Sequence, residues 1–189
     1  GNIGAVQLRR EGPEVVDRLA EMIDADAIAV HLNFLQESVQ PEGETEARGA
    51  IEAIRSAAGG RVPIIAKETG AGISREDARA LLAAGVKIID VGGVGGTSWS
   101  GVEAYRAEER GDAGSAKMGR LFLDWGLPTP VSVVECASLG AEVISSGGVR
   151  SGIDAAKSIA LGASLAGAAL PFLAPAAEGR AAPRSEEHT

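Results

Sequence analysis

One repeated alternation constrains this chain more than anything else in it. Short, nearly unbroken apolar runs are separated by stretches whose apolar residues recur at helical spacing. The runs fall at Ile3–Leu8, Ala27–Leu32, Val62–Ala66, Val86–Val91, Glu142–Ser146 and Leu165–Leu170. A half-exposed strand alternates apolar and polar residues, whereas a run that is apolar throughout has both faces covered. Strands of that kind belong to a parallel sheet flanked by helices, so the fold class is α/β.

The intervening segments carry helix signals. Pro13 stands at a favoured helix start, and the segment to Met22 places Val15, Val16, Leu19, Met22 and Ile23 on one face. A second helix is predicted over Glu44–Ala57. Ser74-Arg-Glu-Asp77 has the form of a capping box, with Asp in place of the usual Glu or Gln. The helix it opens runs to about Ala84, where Gly85 is a natural stop. Asp154–Leu161 is a further helix, stopped by Gly162. The long segment from Gly92 to Leu139 is predicted to hold a glycine-rich loop and two helices, and Trp125-Gly-Leu-Pro-Thr129 reads as a structural loop leading into the second.

A βα series can form a doubly wound sheet or close into a barrel. Polar or glycine residues recur just after the strand ends, at His31, Lys67, Gly92 and Gly147, and in a barrel that is the active-site face. No early Gly-x-Gly-x-x-Gly turn opens a first helix, as a dinucleotide-binding fold prefers. Six units here extrapolate to eight in the roughly 250 residues of a typical barrel. The predicted fold is therefore a (β/α)8 TIM barrel represented by about six βα units, strands 3 to 8, the first two units preceding Gly1. One partial barrel domain is expected over 1–175 and a disordered tail over 176–189. Within that tail, Arg184-Ser-Glu-Glu-His-Thr189 has no structural pattern and reads as non-native.

Composition narrows the partners. The net charge of −8 argues against non-specific binding to nucleic acid or to an anionic membrane. No apolar run reaches the roughly 20 residues that span a bilayer. The single cysteine, Cys136, excludes an internal disulfide and suits a reducing, cytoplasmic compartment. With aromatics at 3%, the core must be built from aliphatic and small residues.

Four clusters carry chemistry. Ser146-Gly-Gly-Val-Arg-Ser-Gly-Ile-Asp154, with Ala169 and Leu170 at the end of the last run, points to phosphate: glycines let backbone N–H groups approach, and Arg150 adds charge. His31-Leu-Asn-Phe-Leu-Gln-Glu37, continuing to Gln40-Pro-Glu-Gly43, gathers His31, Asn33, Gln36 and Glu37 on one strand end and loop. The amides can donate to phosphate oxygens, and a single carboxylate can hold Mg²⁺ when substrate phosphates supply other ligands. Lys67-Glu-Thr-Gly-Ala-Gly-Ile-Ser74 puts an ammonium at a strand end, where it can stabilise an anionic ring. Val91-Gly-Gly-Val-Gly-Gly-Thr-Ser-Trp99 is dense enough in glycine to lie against a flat ring, with Thr97 for a ring-edge hydrogen bond and Trp99 as a wall.

In this order the clusters resemble type 2 isopentenyl diphosphate isomerase, an FMN-dependent family, from about Gly1 to Leu173. Asn2-Ile-Gly-Ala-Val-Gln-Leu8, the His31–Glu37 cluster and Gly95-Gly-Thr-Ser-Trp99 are fairly specific to it, while Gly-Gly-x-Arg150 is shared with related flavin barrels. The resemblance implies that Asn2, Lys67, Thr97, Gly148, Arg150, Ala169 and Leu170 contact FMN. It implies that His31, Asn33 and Gln36 meet the substrate diphosphate or its reacting end, with Gln36 and His31 taking part in catalysis, and that Glu37 ligates Mg²⁺. The implied reaction moves the double bond of isopentenyl diphosphate to give dimethylallyl diphosphate, with reduced FMN as acid and base and NADPH only as reductant. The implied assembly is a homo-oligomer, a tetramer or larger.

The family also has basic residues and flavin contacts in the part that precedes Gly1. This chain alone is therefore expected to be inactive, with two unpaired sheet edges. Ala47 replaces an expected bulky aromatic. The alternative of an FMN-dependent α-hydroxy-acid oxidase needs a His near the end of strand 7, where Ser145 and Ser146 stand instead. A non-catalytic phosphate-binding barrel is the third reading, and the joint presence of Gln36, Glu37 and Lys67 weighs against it.

Overall fold

The computed structural model describes residues 1–43 and 45–179. Six strands form one sheet: β1 (Asn2–Gly4), β2 (Ile28–His31), β3 (Ile64–Lys67), β4 (Ile88–Asp90), β5 (Glu142–Ser145) and β6 (Leu165–Ala166). Every adjacent pair is parallel, and spatial order equals sequence order. This is the wall of a (β/α) barrel, in which each strand returns through helix to the place beside its predecessor.

Register divides the strands into two faces. Val30, Ala66, Ile89 and Val143 are lateral neighbours across β2 to β5 and are inaccessible to solvent. One residue further on, His31, Lys67, Asp90 and Ile144 are lateral neighbours on the opposite face and are only partly buried. The first row belongs to the main apolar core, with Leu8, Val16, Ile54, Leu81 and Val133. The second row carries the polar chemistry.

Around the sheet lie α1 (Ala5–Glu11), α2 (Glu14–Ile23), α4 (Ala50–Ala57), α5 (Arg75–Ala83), α8 (Thr129–Ala137) and α9 (Gly152–Ala160). Their contacts run from α1 to α4, from α4 to α5 and from α5 to α8. A second group, α3 (Phe34–Val39), α6 (Trp99–Glu109) and α7 (Ala113–Leu121), packs together in the excursions that follow β2 and β4.

Several boundaries depart from the sequence expectations. The run Ile3–Leu8 is strand only to Gly4; Ala5 and Leu8, three apart and both buried, belong to α1, and the Gly4 N–H donates to Gln7 Oε1 at 3.2 Å. So short an apolar run cannot distinguish the two periods. On α2 the buried face is Val15, Val16 and Ala20, while Met22 and Ile23 are exposed near its end. The helix expected from Glu44 begins only at Ala50, and Glu44 lies outside the described residues. The His31–Glu37 cluster holds α3 where the sequence suggests a loop.

Three helices, not two, occupy the stretch from Gly92 to Leu139. Ser98 and Asp112 cap α6 and α7, accepting from the N–H groups of Gly101 and Ser115. Ser74 does cap α5, accepting from the Asp77 N–H. The last run is strand only over Leu165–Ala166; Leu170 instead opens α10 (Leu170–Ala177), because Pro171 suits a first helical turn. Helix α10 also crosses the expected 175/176 boundary, and positions 180–189, including the segment 184–189, lie outside the described residues. Among the described residues no helix is long and apolar enough to cross a membrane.

Cys136 is packed inside, with Sγ 3.8 Å from the Ile73 carbonyl, and burial pushes its thiol up to about 11. Only the thiolate is nucleophilic, so at pH 8 the native protein is expected to leave Cys136 unmodified by iodoacetamide and to react fully once unfolded in urea, as read by mass spectrometry.

Candidate active site

The parallel register determines which side chains meet. His31, Lys67 and Asp90, the last residues of β2, β3 and β4, stand side by side on the less buried face. Lys67 Nζ donates to Asp90 Oδ2 at 2.7 Å. The other Asp90 oxygen accepts from the Ser146 hydroxyl, which follows β5. Burial lowers the His31 pKa first of all; Glu37 opposes the shift, and the neighbouring Lys67 cation reinforces it. His31 therefore stays neutral at physiological pH, with one donor and one acceptor nitrogen.

The loop after β3 is held by its own acid. Glu68 accepts from the Thr69 N–H, and burial pushes its carboxyl above the ordinary range against hydrogen bonds from the Thr69 and Ala71 amides. Thr69 Oγ1 then donates to Asn33 Oδ1 at 2.7 Å, and Asn33 Nδ2 donates to Glu37 Oε1 at 3.1 Å. Asn33 sits at φ 52°, a left-handed conformation that asparagine tolerates better than most residues. That bend starts α3 immediately after the strand and brings Gln36 and Glu37 back towards the strand ends.

Gln36 is anchored from behind. Its Nε2 donates to Glu103 Oε1 at 3.1 Å, and the same oxygen accepts from Gln40 Nε2 at 2.8 Å and Arg106 Nη1 at 3.0 Å. Glu103 is 2% exposed. Burial alone would raise its carboxyl, but the hydrogen bonds from Gln40 and Gln36 and the Arg106 charge outweigh it and hold the group below its usual range.

The glycine loops pack backbone on backbone. A Cβ at Gly148 would collide with the Gly95 carbonyl group, and one at Gly147 with Gly93. Both glycines have positive φ, 99° and 86° for Gly147 and Gly148, so any other residue is strained there as well. Thr129 Oγ1 donates to the Gly147 carbonyl at 2.6 Å, and the Val94 N–H donates to the Leu127 carbonyl at 2.9 Å. The segment Trp125–Thr129 leads into α8, as its sequence suggested, and also braces the glycine loops from behind.

These loops enclose a cavity of about 700 Å³ at the carboxyl ends of the strands. Of the residues singled out from sequence, Asn2, His31, Asn33, Gln36, Lys67, Thr97, Gly148, Arg150, Ala169 and Leu170 all line it, as does Trp99. Glu37 stands one step back, joined to the cavity through Asn33. Ala169 and Leu170 reach the cavity from the start of α10 and not from a strand end. Sequence reasoning missed Asp90, Thr69, Glu68 and Glu103. Asp90 had a signal, a carboxylate inside an otherwise apolar run; Glu103, one of several acids in its helix, had none.

A parallel sheet with this cavity at its strand ends defines a segment of a barrel protein seen from its functional face. No family model matches the chain. Among curated relatives, isopentenyl-diphosphate delta-isomerase of Methanothrix thermoacetophila is 69% identical over 179 residues, 95% of this chain and 50% of the relative. The Methanosarcina acetivorans isomerase is 59% identical over 95% of this chain and 49% of its own length, and that of Archaeoglobus fulgidus 54% over 98% and 53%. The chain belongs to the isopentenyl-diphosphate delta-isomerase family, and it spans about half the length of the curated relatives it matches. Among solved structures, GMP reductase from Trypanosoma brucei superposes with a TM-score of 0.56 at 22% identity, covering 87% of this chain and 29% of the reductase. That likeness concerns the fold alone.

Two outcomes follow from the geometry. Because the His31 pKa is lowered on folding from its ordinary 6.5, the unfolded chain takes up the proton more readily, and the stability gained by burying neutral His31 is lost as pH falls below that value. His31→Gln is expected to flatten the loss of stability between about pH 7.5 and 5.5, measured by urea midpoints at each pH. Glu103→Ala strips the acceptor from Gln36, Gln40 and Arg106, and is expected to cost at least about 2 kcal/mol in urea unfolding, as hydrogen bonds to a buried charge imply.

Proposed function

We propose that the full-length protein carrying this chain converts isopentenyl diphosphate to dimethylallyl diphosphate by a 1,3-proton shift, using reduced FMN and Mg²⁺. The observation that carries this reading is convergence. Ten residues assigned by resemblance, scattered from Asn2 to Leu170, line one cavity in a chain whose relatives bear the isomerase name.

The residues present suit FMN. Gly93, Gly96, Gly147 and Gly148 line one wall of the cavity, and Gly93, Gly147 and Gly148 have no room for a side chain, so a flat ring and its phosphate can approach the backbone. Arg150, whose Nη2 donates to the Gly95 carbonyl at 3.2 Å, brings positive charge to that wall, and Lys67 would hold the electron-rich ring edge. Thr97 and Asn2 would bond the ring polar atoms. When bound, FMN, reduced beforehand by NADPH, supplies the proton donor and acceptor and a π face for the cationic substrate.

Among the described residues no group of three or more His, Cys, Asp or Glu stands together to hold a metal. Mg²⁺ would therefore depend on Glu37 and on diphosphate oxygens, an arrangement that hard cation accepts. Neutral His31 and Asn33 would hydrogen-bond the diphosphate. Protonating the terminal alkene creates a tertiary cation that water would capture, so the chain must exclude water and stabilise positive charge. Gln36 is suited to stabilising that charge, because with Nε2 committed to Glu103 its carbonyl oxygen is the free end of the amide dipole. Trp99 would shield the same region.

The test uses the purified full-length protein with isopentenyl diphosphate, Mg²⁺, FMN and NADPH under anaerobic conditions. Dimethylallyl diphosphate is expected only when the flavin is reduced, and Gln36→Ala or Glu37→Ala should lower kcat by about 100-fold or more. A folded, flavin-loaded protein that makes no product overturns the proposal.

A further inference from the structure

We infer that Asp90 is a positioning residue for the cavity: it aims the Lys67 ammonium, with Ser146 as a second anchor, and partly offsets its charge. The identity of the ligand it serves rests on the FMN reading above; the coupling of Asp90 to Lys67 does not.

Asp90 occupies the middle of the polar row, between β3 and β5, and both its oxygens are engaged. Oδ2 takes the Lys67 ammonium at 2.7 Å, and Oδ1 takes the Ser146 hydroxyl. Lys67 and Ser146 line the cavity and Asp90 is set behind them, its side chain 13% exposed against 31% for Lys67. Whatever Asp90 does for a ligand, it does through those two groups. An ammonium has three N–H donors, so the bond to Asp90 leaves two for a ligand. The four-carbon stem of lysine is flexible, and an ion pair at a partly buried site restricts where it can put them.

The sheet itself does not ask for a carboxylate here. Backbone pairing already joins β3, β4 and β5, and the next residue in the same row, Ile144, is apolar. Setting a carboxylate into this row costs desolvation that an apolar residue would avoid. What the carboxylate adds is a fixed direction for Lys67 and a counter-charge. A ring edge beside Lys67 then meets an oriented donor whose positive charge is partly neutralised, not a free cation. Removing the negative charge while keeping the shape should make an anionic reduced ring easier to form.

The experiment uses the full-length protein and two readouts. In the ligand-free state, the rate at which trinitrobenzenesulfonate modifies Lys67 is followed by mass spectrometry. In the FMN-loaded state, the flavin midpoint potential is measured by anaerobic titration with dithionite. Asp90→Ala is expected to speed Lys67 modification several-fold. It should also weaken FMN binding roughly tenfold, the lower end of what losing an orienting partner costs at metal sites. Asp90→Asn keeps both hydrogen bonds, its oxygen accepting from Lys67 and its amide donating to Ser146, so its expected effect is a positive shift of the midpoint potential. A merely structural carboxylate would alter thermal stability and leave that potential alone.

Should Asp90→Ala fail to fold, Asp90→Asn and Ser146→Ala carry the test, the latter with a smaller rise in Lys67 modification. Wild-type modification rates at Lys67 in every folded variant, or an unchanged potential in Asp90→Asn, overturn the inference. If the wild type binds no FMN while Lys67 modification still accelerates without Asp90, the cofactor reading fails and the coupling stands.

Discussion

Parallel pairing in strict register is the constraint on which the rest depends. It aligns the last residues of successive strands into a row, so that His31, Lys67 and Asp90, separated by dozens of residues in sequence, become lateral neighbours. The same pairing commits the preceding row, Val30, Ala66, Ile89 and Val143, to the helix-covered core. Shifting a strand by one residue would exchange its two faces: in β3, Lys67 would enter the apolar layer and Ala66 would take its place on the cavity side. Core formation and site assembly are therefore one event, because the apolar row that drives burial also sets the polar row beside it.

Around that row, polar groups are fastened in pairs and chains. Asp90 ties Lys67 to Ser146, Asn33 ties Thr69 to Glu37, and Glu103 ties Gln36 to Gln40 and Arg106. Each chain joins elements from different βα units. A buried polar network is stable only when its members are satisfied, and among the described residues no buried side-chain nitrogen or oxygen lacks a partner. The consequence is pre-organisation: Asn33, Gln36, Lys67, Thr69 and Ser146, all lining the cavity, are each held by a side-chain hydrogen bond to another residue of the chain.

The glycine loops contribute by absence. Gly93, Gly147 and Gly148 pack so closely against Thr129, Gly93 and Gly95 that side chains on them would be expelled, leaving part of one wall of the cavity as bare backbone. Polar side chains stand on the opposite strand ends, while this wall is bare backbone with Arg150 beside it.

From sequence alone, the parallel α/β class and the six units were legible from where apolar runs stop, while the ten cavity-lining residues came with the family resemblance. Element ends were less legible. β1 ends at Gly4, α4 starts only at Ala50 and β6 ends at Ala166, none of which a short apolar run marks, and α3 forms because Asn33 accepts a left-handed bend that its residue type permits but does not require. The partners of the site residues were decided by tertiary structure. Nothing in the spacing of Lys67 and Asp90, or of Gln36 and Glu103, says that they touch. Residue type can show that a lysine at a strand end must face polar surroundings. Only the lateral register of three strands determines which carboxylate it meets.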